Sequence, residues 1–280
     1  MINNLVFIIL FLVEIKNGLR YVQKLNMRVL DGEKLDPVRN KHLIYLEIAD
    51  ADINSNNRSM KNSICSGSII SDIWILTAAH CFFNTIVKKQ AKNVSELDPN
   101  QYSTNVTVLH PKHGQFEIIA EAADVYLKDP SFLVEHQSTH SSENDLALLK
   151  TQKGIKFNNF TQPILLATRS INVGNSGMIS GYGEVDKDVF GGSQGFVEIK
   201  SCPFTRGTTL LCSKDVVRAG EGDSGGSLVF KGKLVGVTSK SCSRFVYVSK
   251  PCAAIYVDVP RFCSIRLSHL NTKEKMKLKM

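Results

Sequence analysis

The chain has 280 residues, 43% of them hydrophobic and 21% charged, with a formal net charge of +8. This is ordinary globular composition, enough for one large domain or two modest ones, and it excludes a chain built of membrane-spanning helices. Part of the positive excess is local: residues 266–280 form a lysine-rich basic tail with no nucleic-acid motif beside it, which reads as a solvated segment.

The first segment is MINNLVFIILFLVEIKNG. Its apolar run, Leu5 to Val13, fits the core of a signal peptide and is too short to cross a bilayer. Residues 1–18 are therefore expected to direct secretion, with no stable membrane association. Seven cysteines behind such a leader point to disulfides, and the odd number leaves at least one thiol without an intrachain partner. Glycosylation sequons at Asn57, Asn93, Asn105 and Asn159 agree with an extracellular glycoprotein.

Further along, short apolar runs alternate with polar, Gly- and Asn-rich turns. HLIYLEI (42–48), SIISDIWILTA (68–78), TVLH (107–110), DLALLK (145–150), GMISGYG (177–183), GSLVF (226–230), KLVGVTS (233–239) and AAIYVDV (253–259) read as strands. Few windows look helical, so the fold class is all-β, a barrel or sandwich. Residues 84–106 read as a polar surface excursion, and the polar stretch from Lys153 to Thr161 as a joint between two halves. His110 and His113 form H-x-x-H without a third ligand, which favours a surface loop; no metal and no cofactor are expected.

Three stretches carry chemistry. In CSGSIISDIWILTAAHC (65–81) an apolar run ends at His80, with small residues leaving its ring accessible and Cys65 and Cys81 at the two ends. In ENDLALLK (143–150) Asp145 stands where a strand begins. In EGDSGGSLV (221–229) Ser224 sits in a turn whose glycines permit a sharp, uncrowded bend. Alone, His80 fits a core histidine, Asp145 a turn residue and Ser224 a surface turn. A serine hydroxyl is a poor nucleophile without a base, so the joint presence of an acid, a base and a hydroxyl is more specific than any one of them.

With TAAHC (77–81), NDLALLK (144–150), SGYG (180–183) and GDSGGSLV (222–229), the chain resembles the trypsin/chymotrypsin family of serine peptidases over residues 29–265. The resemblance implies two packed antiparallel Greek-key β-barrels, about 29–155 and 156–265, with the active site in the cleft between them and a short C-terminal helix. It implies Ser224 as nucleophile, His80 as general base and Asp145 as its orienting acid, with the N–H groups of Gly222 and Ser224 as oxyanion hole. Ser239 matches the serine that hydrogen-bonds the acid. Met27-Arg28-Val29-Leu30-Asp31-Gly32 resembles an activation site, so residues 19–28 would be a propeptide, and a Val29 ammonium freed after Arg28 would pair with Asp223. Protein or peptide substrates, an activating protease and protein protease inhibitors are the implied partners.

The chain also departs from the family. The specificity pocket implied by the resemblance is Arg218, Ser239, Ser241 and Ala254. Arg218 stands six residues before Ser224, where trypsin-like members have Asp; an Arg there would favour an acidic P1 side chain through a charge-assisted pair, turn outward, or fill the pocket. Lys240 replaces a common aromatic. Cys65–Cys81 and Cys202–Cys212 match family bridges, Cys242 and Cys252 are left to pair with each other, and Cys263 is the odd one. The altered pocket supports an alternative reading, a protease-like binding or regulatory protein with little turnover.

Overall fold

The computed structural model describes residues 32–49, 63–83, 101–112, 115–127, 132, 142–186, 189–202, 209–214, 217–241 and 253–263. Arg28, Val29, Asn57, Asn93, His113, Cys242 and Cys252 lie outside them.

The first barrel is built from β2 (Leu43–Ile48), β3 (Ser63–Ile69), β4 (Trp74–Thr77), β5 (Gln101–Lys112), β6 (Gln115–Leu127) and β7 (Ala147–Thr151). They close in the order β2-β3-β4-β7-β6-β5. All its pairings are antiparallel, from Leu43 opposite Ser68 to Thr77 opposite Ala147. Its interior holds Ile44, Leu46, Ile48, Ile75, Val108 and Leu149, with Trp74 edge-on to Tyr126. Burying such side chains contributes about 1.5–3 kcal/mol each.

The second barrel uses β9 (Ser176–Asp186), β10 (Val189–Lys200), β11 (Leu210–Ser213), β12 (Ser227–Phe230), β13 (Lys233–Ser241) and β14 (Ala254–Asp258). It runs β10-β11-β14-β13-β12-β9 and closes through the β9–β10 pairing. Two short strands attach outside this ring: β1 (Glu33–Lys34) pairs with β10, and β8 (Leu165–Leu166) runs parallel to β13. A five-residue helix, α1 (Val259–Cys263), follows β14. The architecture is therefore the expected all-β pair of barrels with a short C-terminal helix.

Several local expectations change. The run 68–78 is not one strand: it turns at residues 71–73, where the Ser71 hydroxyl caps the Ile73 and Trp74 N–H groups, so two strands pack side by side. Residues 101–106, expected within a surface excursion, begin β5, and Val106 is fully buried. His110 lies in that strand, as the reading of 107–110 expects, but it is buried rather than on a surface loop, with its ring Nδ1 3.1 Å from the Pro111 carbonyl. The N-terminal Glu33–Lys34 belongs with the second barrel, not the first.

Candidate active site

His80 follows β4 on a 3-10 turn, Ala79–Phe82. Ala78 and Ala79 are fully buried, and the next residue, Cys81, is bonded to Cys65 of β3. The turn is thus tied covalently to the neighbouring strand. Asp145 precedes β7, and Asn144 before it adopts φ 63°, a left-handed conformation that asparagine tolerates better than most residues. That bend turns Asp145 inward, where it is 0% exposed.

A buried carboxylate must be hydrogen-bonded. Asp145 accepts from the His80 backbone N–H on Oδ1 at 2.8 Å, and on Oδ2 from the His80 ring at 2.7 Å and the Ser239 hydroxyl at 2.5 Å. Burial pushes its pKa up, but the His80 charge and these donors outweigh that and hold it below the usual carboxylate value. Burial likewise pushes His80 down; the Asp145 charge and hydrogen bond outweigh it, opposed by the Lys240 ammonium, and the net direction is up. With Nδ1 facing Asp145, the neutral ring presents Nε2 as an acceptor. Nε2 lies 2.9 Å from Ser224 Oγ.

Ser224 sits in the turn between β11 and β12. Gly222 has φ 87° and Gly225 φ 81°, and a Cβ on Gly225 would lie 2.1 Å from the Ser66 carbonyl oxygen. Both places require glycine. The Gly225 N–H donates to the Thr238 carbonyl at 2.7 Å, and the Thr238 N–H returns to Gly226 at 2.9 Å, which fixes the turn against β13. A register shift between Thr238 and Lys240 bends β13 at Ser239, the residue aimed at Asp145. Bulges of this kind re-aim side chains.

Asp223 is 2% exposed and accepts the Gly220 N–H at 2.8 Å. Its seat exists because residue 181 lacks a side chain: a Cβ there would fall 2.4 Å from Asp223 Oδ1. The SGYG and GDSGG motifs are therefore two halves of one packing arrangement.

His80, Asp145, Ser224 and Ser239 come together in one chain of hydrogen bonds. Ser241 and Ala254 face each other across β13 and β14. Arg218 is partly buried in the segment leading to Gly220. Asn105 and Asn159 are exposed, as an attached glycan requires. Cys65–Cys81 and Cys202–Cys212 are bonded. Two residues at the barrel junction carry no signal along the chain. His42 Nε2 lies 3.1 Å from the Ser227 hydroxyl, which reaches Ser180 at 2.7 Å. Ser66 joins β3 to Gly222.

The chain has known relatives. The chain is 28% identical over 185 residues to Serine protease SP24D of Anopheles gambiae, covering 62% of this chain and 61% of that protein, so it spans less than two thirds of that relative. It is 28% identical over 213 residues to Kallikrein-8 of Mus musculus, covering 71% of this chain and 74% of the relative. The solved structure of neuropsin, a serine protease expressed in the limbic system of mouse brain, has the same fold, with a TM-score of 0.60 at 20% identity over 86% of this chain and 99% of that one. The family model described as Trypsin matches residues 50–263, and the chain belongs to this family of serine proteases.

Proposed function

We propose that the chain is a secreted serine endopeptidase, made as a zymogen, that cleaves peptide bonds through an acyl-enzyme. The observation that carries this reading is the relay from Asp145 Oδ2 to His80 at 2.7 Å and from His80 to Ser224 Oγ at 2.9 Å. In it, His80 Nε2 takes the Ser224 proton as Oγ attacks the scissile carbonyl. Asp145 stabilises the imidazolium, and His80 then returns the proton to the leaving amine. The N–H groups of Gly222 and Ser224 bind the developing oxyanion. Water repeats the sequence on the acyl-enzyme.

Removal of residues 1–18 and cleavage after Arg28 would leave Val29 as the new N-terminus. Asp223, buried and accepting the Gly220 N–H, is the carboxylate that the family resemblance assigns to the Val29 ammonium. The two disulfides and exposed sequons at Asn105 and Asn159 support an oxidising, extracellular setting. Arg218 supports a preference for acidic P1 residues.

Fluorophosphonate labelling before and after cleavage at Arg28, with Ser224→Ala as control, tests the reading. Labelling of Ser224 is expected in the cut form, whose sequence begins at Val29. Processed, folded protein that does not label favours the binding role. Full activity from uncut chain removes the zymogen step. On a panel varying P1, acidic residues should be preferred, and clear cleavage after Lys or Arg refutes that preference.

A further inference from the structure

Ser66 follows Cys65 on β3, and no part of it reaches solvent. A serine hydroxyl has one proton to give and two lone pairs to receive. The Tyr182 N–H has only a proton to give, and it donates to Ser66 Oγ at 2.8 Å. The hydroxyl proton goes to the Gly222 carbonyl, 2.9 Å away. The backbone of Ser66 is committed as well: its N–H donates to the Ser224 carbonyl at 2.7 Å, and its carbonyl accepts from the Thr77 hydroxyl at 2.8 Å. One residue of the first barrel therefore grips the carbonyls of both Gly222 and Ser224. These are the two residues whose N–H groups are assigned above to the oxyanion.

Gly222, at φ 87°, has no side chain to fix its peptide planes. Its freedom is limited by what its backbone groups bind and by the Tyr182 carbonyl and Gly183, which a Cβ would meet at 2.9 and 3.1 Å. A bond to its carbonyl restrains the plane joining Gly222 to Asp223. A bond of this kind between neutral groups biases a two-position peptide by about twofold to about tenfold.

We infer that Ser66 is a positioning residue of the oxyanion loop, its hydroxyl holding Gly222 so that the loop keeps its donors aimed across the barrel junction. The inference rests on the peptidase reading of Ser224. It makes β3 part of the catalytic frame, although Ser66 touches no reacting atom.

The test uses the processed full chain and the variants Ser66→Ala, Ser66→Gly and Ser66→Thr, each normalised by active-site titration. Readouts are kcat and KM on a peptide ester, and the affinity for a peptide boronate set against that for the matching product peptide. Ser66→Ala and Ser66→Gly should lose about twofold to about tenfold in kcat with little change in KM. Boronate affinity should fall in step with kcat, product affinity should hold, and Ser66→Thr should restore both. A purely structural hydroxyl would lower the melting temperature and leave kcat per titrated site and boronate affinity unchanged; that outcome overturns the inference. If neither deletion variant folds, a structure of the wild-type boronate adduct decides. The Ser66 Oγ bond to Gly222 should persist with the adduct oxygen on the Gly222 N–H, and its absence overturns the inference. Wild-type protein that never labels at Ser224 fails the peptidase reading, and this inference falls with it.

Discussion

Both barrels close six antiparallel strands, yet what each brings to the cleft is held by different means. The first barrel brings His80 and Asp145, which are held by side-chain hydrogen bonds, one of them from Ser239 of the second barrel, and by the Cys65–Cys81 bridge. The second brings Ser224, which is held by backbone groups: Gly225 to Thr238, Gly226 to Asp223, and the Ser224 carbonyl to the N–H of Ser66 in the first barrel. The reason lies in charge. A buried carboxylate beside an imidazole needs donors fixed in advance, whereas a neutral hydroxyl needs only a rigid turn. Electrostatic changes should therefore strike the first barrel's contribution without moving the fold, and steric changes should strike the second's.

The largest expected effect follows from this. In Asp145→Asn, an amide N–H faces His80 Nδ1, the ring proton moves to Nε2, and the acceptor for Ser224 is lost. We expect kcat to fall about 10⁴-fold while circular dichroism and melting temperature stay near wild type. Gly225→Ala should also abolish Ser224 labelling, but by displacing the turn, because its Cβ would sit 2.1 and 2.2 Å from the Ser66 carbonyl and Thr77 hydroxyl oxygens. Its melting temperature should drop as well. If both variants lose stability equally, the contrast between the barrels is wrong.

The covalent tie gives the next effect. Cys65 and Cys81 close a loop with a sequence separation of 16. Replacing both with Ser should cost roughly 3 kcal/mol in the chain-entropy view, read as a lower denaturant midpoint.

How much of this was legible along the chain depends on whether the determining contact is local. TAAHC, NDLALLK and GDSGG were legible together, through the resemblance they carry, although each alone fits an ordinary core or turn residue. β6 escaped because a register shift between Ala122 and Asp124 breaks its alternation, and Phe116 and Ile118 at its start are exposed. β10 escaped because its glycines resemble a loop. Yet a Cβ on Gly192 would meet Leu35 at 2.7 Å, and one on Gly195 would meet Val217 at 2.7 Å, so these glycines are seats for side chains from elsewhere. Ser66 and His42 act on partners 156 and 185 positions away, which no local pattern encodes.

His42 offers a way to probe the junction itself. It is 4% exposed, and burial, with the neighbouring His110 adding to it, lowers its pKa to about 4. The folded state then binds fewer protons than the unfolded state between pH 6.5 and about 4. Stability from this group is present above pH 6.5 and is lost as pH falls through that window, by about 3 kcal/mol in all. His42→Gln should flatten the pH dependence of urea unfolding there; an unchanged slope places the acid-sensitive group elsewhere.

The smallest effect concerns Lys240, which adjoins Ser239 on β13 and opposes the upward shift of His80. On the proposed mechanism catalysis needs neutral His80, so activity should rise with pH through the His80 pKa, which lies above the ordinary histidine value. Lys240→Gln removes the opposing charge, raises that pKa further and moves the acid limb of kcat/KM to higher pH. Added salt should narrow the gap between variant and wild type, since a partly exposed ammonium acts through screened solvent. An acid limb that stays in place shows that the second barrel touches the base only through Ser239 and the Ser224 turn, and the division between side-chain and backbone control then becomes stricter than the one drawn from the geometry.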